Sequence, residues 1–300
     1  MKYVQMGSNK VSAVGLGTWQ FGEPGWGWGK ELNQHQARRI VHRALELGIN
    51  FFDTAEVYGN GQSERILGEA LEGRRQEAVI ATKVAPPLRP DRVKRAAQQS
   101  LRRLGMDFVD LYQLHEPDNT VPITHTMDAL RELVDAGQVR QVGVSNFSQT
   151  QWKQAEAALG RPVVSNQVEY HLLERRHGEY LLPYARQQNR WIIAWSPLAQ
   201  GLLGGKYGPD NVPFDLRTFF GIFNPENLQR APVIIEVLQE VGRGHGATPA
   251  QVALAWLLKD PEVIVIPGAR SVAQLEANAA AADLQLSLED IQRIDEVATN

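Results

Sequence analysis

Residues 79–114 read VIATKVAPPLRPDRVKRAAQQSLRRLGMDFVDLYQL. Val79–Thr82 is a short run of mostly β-branched and apolar residues. Val93, Ala97, Leu101 and Leu104 then recur at helical spacing, and Gly105 stops the helix. Phe108–Leu114 is a second short run. Two strands apolar on both faces, joined by an amphipathic helix, read as a β-α-β unit whose parallel strands are covered on both sides.

The same rhythm runs outward in both directions. Further runs fall at Val14–Leu16, Asn50–Phe52, Val139–Val144, Val163–Val168, Trp191–Trp195 and Val263–Ile266. Asn33 with Gln36 reads as a capping box ahead of the stripe Ala37, Ile40, Val41, Ala44 and Leu45, and Gly48 follows it. Thr248-Pro249-Ala250-Gln251 is a second capping box with proline at the first helical position, and Ser287-Leu288-Glu289-Asp290 opens a last helix. Tyr3–Met6 and Lys10–Val14, joined by Gly7-Ser8-Asn9, read as an N-terminal hairpin. Eight runs alternating with helices predict a (β/α)8 barrel of the TIM type, capped by that hairpin, over a doubly wound open sheet. No linker-like stretch interrupts 1–300, so one domain is expected. The longest irregular connection is Pro197 to Arg230.

Composition narrows the function classes. Of 300 residues, 31 are Lys or Arg and 34 are Asp or Glu, a net charge of −3. That balance gives no basic face for nucleic acid or an acidic membrane surface. No cysteine is present, which excludes disulfides, thiolate catalysis and cysteine-held metal centres. Met1–Lys10 lacks the apolar core of a secretory signal and no run approaches the ~20 apolar residues of a spanning helix, so a cytoplasmic chain is expected. His35, His42, His125, His171, His177 and His245 form no H-x-x-H or H-E-x-x-H pattern, and no metal is expected.

In such a barrel chemistry belongs at the C-terminal strand ends and the loops beyond them. Those positions hold Asp53, Lys83 and His115, on consecutive strands, with Tyr58 in the loop after Asp53. An ammonium beside a phenol favours its deprotonated form, a carboxylate balances the ammonium, and an imidazole can hold or protonate the same oxygen. The set reads as carbonyl reduction, with hydride from a cofactor because no side chain carries one. Trp19 and Trp26, in the glycine-rich first loop, read as an aromatic wall over the substrate, with Trp28 either part of it or loop packing.

The string Phe51-Phe52-Asp53-Thr54-Ala55-Glu56-Val57-Tyr58-Gly59 with Ser63-Glu64 resembles the aldo-keto reductase signature. The resemblance continues through Ala81-Thr82-Lys83, Leu114-His115, Val142–Phe147, Asn166-Gln167, Trp195–Leu198, Gly201–Leu203, Gly205–Tyr207 and Ile266–Arg270, and so covers the chain. It implies the barrel with its hairpin cap, a tetrad of Asp53, Tyr58, Lys83 and His115 with Tyr58 as proton donor, and NADP(H) bound without a Rossmann fold. Gly15-Leu16-Gly17-Thr18-Trp19-Gln20 indeed lacks the third glycine of that fingerprint. The resemblance further implies that Ser145, Asn146 and Gln167 hold the nicotinamide carboxamide and that Trp195 stacks on its ring. Ser196, Leu198, Gly201 and Leu203, with Lys206 and Arg217, correspond to the pyrophosphate loop. Gly268, Arg270, Gln274 and Asn278 correspond to the adenosine end. Arg270 lies where the helix after the eighth strand opens, a place that favours an anion, and its guanidinium suits a 2′-phosphate. Ala277 departs from the glutamate that many relatives carry there. The alternative is a nicotinamide-binding sensor or regulatory subunit like the potassium-channel β subunits, which generally have Asn where this chain has His115. The expected partner is a small-molecule carbonyl.

Overall fold

The computed structural model describes residues 1–213 and 221–299. The hairpin is β1 (Tyr3–Met6) and β2 (Asn9–Ser12), paired antiparallel with Met6 opposite Asn9. Eight parallel strands follow: β3 (Leu16–Gly17), β4 (Phe51–Asp53), β5 (Val79–Val84), β6 (Val109–Leu114), β7 (Val139–Ser145), β8 (Val163–Glu169), β9 (Trp191–Trp195) and β10 (Val263–Val265). They pair in chain order from β3 to β10. The ring closes: Gly15 N donates to the Val265 carbonyl at 2.8 Å, Val265 N to Ala13 O at 2.9 Å, and Gly17 N to Pro267 O at 3.3 Å. A Cβ on Gly17 would lie 2.7 Å from Ile266 O, and one on Gly15 2.8 Å from the Phe51 ring. These two glycines therefore serve the seam of the barrel.

The helices are α1 (Gln34–Glu46), α2 (Gln62–Ala70), α3 (Pro90–Leu104), α4 (Ile123–Asp135), α5 (Gln149–Leu159), α6 (Arg176–Gln188), α7 (Pro225–His245), α8 (Pro249–Leu257), α9 (Val272–Ala280) and α10 (Leu288–Thr299). Both predicted capping boxes form, at Asn33/Gln36 and Thr248/Gln251. Ser148 and Gln151 make a third at α5, which the sequence reading passed over.

The expected long connection is shorter at its far end. Asn224 accepts from Asn227 N and Pro225 takes the first helical position, so α7 starts before Arg230. The strand limits also differ by a few residues: the hairpin's second strand ends at Ser12 and the first barrel strand is only Leu16–Gly17. Glycines at 15 and 17 and the closing strand's geometry shorten that ladder.

Apolar packing falls in two layers. A large shell lies between strands and helices. A smaller cluster fills the barrel interior, where Met6 and Val11 of the hairpin meet Phe51, Val79, Ala81, Leu111, Ile193 and Ile264. The hairpin thus stops the N-terminal end of the barrel. Asn50, just ahead of β4, fastens it there: its Oδ1 accepts from Ser12 N and its Nδ2 donates to Lys10 O, both at 2.8 Å. No described helix is long and apolar enough to cross a membrane.

Candidate active site

Strand register sets the site. Asp53 ends β4 and pairs with Ala81, while Lys83 pairs with Gln113 on β6. Alternation then turns Asp53, Lys83 and Gln113 toward the barrel axis, above the apolar interior. All three are at most 2% exposed. Lys83 Nζ donates to Asp53 Oδ1 at 2.6 Å, to Thr54 O at 3.0 Å and to Tyr58 Oη at 3.1 Å. The other oxygen of Asp53 accepts from Gln167 Nε2 at 2.8 Å and Gln113 Nε2 at 3.2 Å. A buried ammonium and carboxylate with every valence engaged is the arrangement in which such a pair is tolerated.

The electrostatics modify the expectation at Tyr58. Burial, the largest influence, raises the phenol's pKa; Lys83 pulls it down, but the net direction is up. The resting side chain is therefore a phenol, not a phenolate. Burial pushes Lys83 down, yet Asp53 and Tyr58 together outweigh it and the ammonium is held above its ordinary pKa. Because Tyr58 Oη accepts from Lys83, its own proton is directed elsewhere.

His115 stands edge-on to Tyr58, with ring centroids 5.7 Å apart. Burial first, and the Lys83 charge second, depress its pKa to about 3. It is therefore a neutral imidazole in the resting site near pH 7. Its Nδ1 is buried without a partner.

These groups open onto a cavity of about 810 Å³ at the C-terminal rim, lined by Asp53, Tyr58 and His115. Among the expected residues, Ser145, Asn146, Gln167, Trp195, Ser196, Leu198, Gly201, Lys206, Gly268, Arg270, Gln274 and Asn278 line it too, as do Trp19 and Trp26. Leu203 does not: it is fully buried in the apolar shell beneath the loop. Arg217 lies outside the described residues. Trp19 packs on Trp26 at 4.4 Å and on Tyr58 at 6.1 Å between centroids, so the two tryptophans form one aromatic surface beside Tyr58. Trp28 instead packs against Phe21.

Several polar groups are engaged differently from the expectation. The Gln167 amide faces Asp53. Asn146, held at a positive φ of 60°, donates from Nδ2 to Glu116 Oε1 at 2.6 Å and accepts at Oδ1 from Trp195 Nε1 at 3.2 Å. Arg270 binds Glu31 of the first loop at 2.5 Å, and its backbone N–H donates to Gln274 Oε1 at 2.8 Å. After β9 the chain takes positive φ at Ser196, Ala199, Gln200 and Gly201, and Gln200 Oε1 is buried without a partner. A strained loop, an unsatisfied acceptor and two cations on the wall of the cavity suit a polar ligand. Glu116, Glu169, Gln113 and Glu31 were not singled out from sequence. For Glu116 a signal was present, since it directly follows His115.

A sequence model described as the aldo/keto reductase family matches residues 13–299. The chain belongs to the aldo/keto reductase family. An uncharacterized oxidoreductase of Mycobacterium tuberculosis is 49% identical to it over 301 residues, with 99% of this chain and 93% of that one covered. Among solved structures, the glycerol dehydrogenase of Gluconobacter oxydans matches with a TM-score of 0.89 at 32% identity, covering 98% of this chain and 94% of that one. An aldo/keto reductase from Klebsiella pneumoniae, solved with NADP and acetate, matches with a TM-score of 0.80 at 32% identity and the same two coverages. This family member is therefore an oxidoreductase.

Proposed function

We propose that this aldo-keto reductase reduces an aldehyde or ketone to the alcohol at the expense of NADPH, with Tyr58 as proton donor. The observation that carries the reading is the bond from Lys83 Nζ to Tyr58 Oη, behind a phenol that opens on a large cavity. When bound, the reduced nicotinamide supplies the hydride that adds to the carbonyl carbon. Tyr58 gives its proton to the carbonyl oxygen as negative charge develops there. The phenolate left behind sits beside the Lys83 ammonium, so the same contact that is modest in the resting site stabilises the product state. Asp53 and Thr54 keep that ammonium in place, and Gln113 and Gln167 keep Asp53 in place. His115, neutral, positions the oxygen.

The residues present fit NADP(H). Trp195 offers a flat ring and Ser145 an adjacent hydroxyl. Lys206 and Arg270 are cations on the wall of the cavity, and Gly201 lets the chain approach closely. Arg270 precedes α9 and would hold the 2′-phosphate, exchanging Glu31 for it. The Klebsiella pneumoniae relative, solved with NADP, supports the same cofactor here. The test is absorbance at 340 nm with 4-nitrobenzaldehyde and NADPH. Steady oxidation that is lost in Tyr58→Phe is expected; equal turnover in that variant would end the proposal.

A further inference from the structure

The charges around the cavity are not mixed. Following the strand ends in ring order, the described lining carries Glu116 after β6 and Glu169 at the end of β8, then Lys206 after β9 and Arg270 after β10. The remaining charged pair, Asp53 with Lys83, is internally balanced. One arc of the rim is thus acidic, while the other carries Lys206 and Arg270, the latter paired at rest with Glu31 outside the lining. A polyanionic cofactor belongs on the basic arc, which leaves the acidic arc to the substrate.

Of Glu116 and Glu169, Glu116 adjoins the candidate tetrad. It follows His115 directly, and its charge acts on the Tyr58 phenol, raising that pKa. One of its oxygens accepts from Asn146, and among the described residues it makes no ion pair. Its carboxylate lines the cavity yet stays open to solvent, so its charge is uncompensated by any ion pair but screened by water and salt. Trp19, Trp26 and Val57 supply the apolar remainder of that end.

We propose that Glu116 is a charge filter: it favours carbonyl substrates that carry a positive charge or none, and it rejects carboxylate-bearing ones. A carboxylate on the substrate would face a like charge at close range, which costs binding in both ground and transition states. A cationic group would be attracted to the Glu116 carboxylate, of which Asn146 engages only one oxygen. This inference rests on the reductase reading above and specifies its substrate class.

Three para-substituted benzaldehydes test it: the 4-carboxylate, its methyl ester and the 4-trimethylammonium cation, each with NADPH at pH 8. The wild type is expected to prefer ester over carboxylate. Glu116→Gln keeps an oxygen for Asn146 but removes the charge. It is expected to raise the carboxylate-to-ester ratio of kcat/KM by about tenfold and lower the cation-to-ester ratio by a similar factor. Glu116→Lys should invert the order. Taking ratios within one preparation cancels any loss of folded enzyme, and comparing those ratios between variant and wild type cancels the electronic effect of the substituent. Raised salt should move the wild-type ratios toward those of Glu116→Gln, which a merely structural role for the side chain would not produce. Turnover with ratios unchanged within twofold in both variants overturns the filter alone. No NADPH oxidation with any of the three overturns the reductase reading and the filter together.

Discussion

As the proposed proton donor, Tyr58 has to keep a proton at rest and surrender it during reaction, and its surroundings act oppositely on those two demands. Burial holds the proton on; the ammonium 3.1 Å away stabilises the oxygen once it has gone. Tyr58→Phe is accordingly expected to lower kcat by about 10²–10⁴-fold while NADPH affinity, read by quenching of tryptophan fluorescence, stays within a few-fold. His115 makes a prediction about stability. Its pKa falls from 6.5 in the unfolded chain to about 3 in the fold, so the unfolded chain binds the extra proton first. The stability this represents is complete above pH 6.5 and is lost as pH drops toward 3. Urea midpoints at pH 7.5 and 4.5 should differ less in His115→Asn than in the wild type; equal shifts would contradict the assignment. The four tetrad residues were legible because each sits at, or just past, a strand end in an arc of neighbours. Glu116 could have been flagged from its place beside His115, but nothing in its spacing says that its partner is Asn146, 30 residues on.

At the scale of elements, the contact between the first loop and α9 sets a prediction of its own. Arg270 is only 22% exposed in its side chain, whereas Glu31 is 63% exposed, so the pair is half solvated and easily exchanged. Arg270→Gln is expected to weaken NADPH binding about 10- to 100-fold, the worth of a charge-assisted bond, with NADH changed by less than about twofold. Glu31→Gln should tighten NADPH a few-fold by removing the competitor. Titrations with both nicotinamides check both variants, and equal effects on the two cofactors would show that Arg270 does not read the phosphate. Helix ends with capping boxes were legible at this scale, since their chemistry is local. The start of α7 was missed although Asn224-Pro225 announces it, because the preceding glycine- and proline-rich stretch was read through it. Amide orientations such as those of Gln167 and Asn146 depend on partners far away in sequence and could not be read at all.

For the whole molecule, closure of the ring depends on two very short strands meeting. Gly17→Ala places a methyl group within 2.7 Å of a backbone oxygen that no rotamer can move aside. A loss of about 1–3 kcal/mol in urea unfolding is expected, with no matching loss for Ala at Gly244 in α7, where the added group meets nothing and φ is not positive. The alternation of eight runs was enough to specify the barrel, because parallel strands covered on both faces have few other ways to hide them. The seam itself was not legible, since Gly15 and Gly17 look alike whether they serve a phosphate or a neighbouring strand. The hairpin changes what kind of container this is. With Met6 and Val11 wedged into the floor, the barrel is a cup and not a pipe. Everything that enters or leaves must pass the lip, so evolution can recarve the lip for a new guest while the base goes on bearing the weight of the fold.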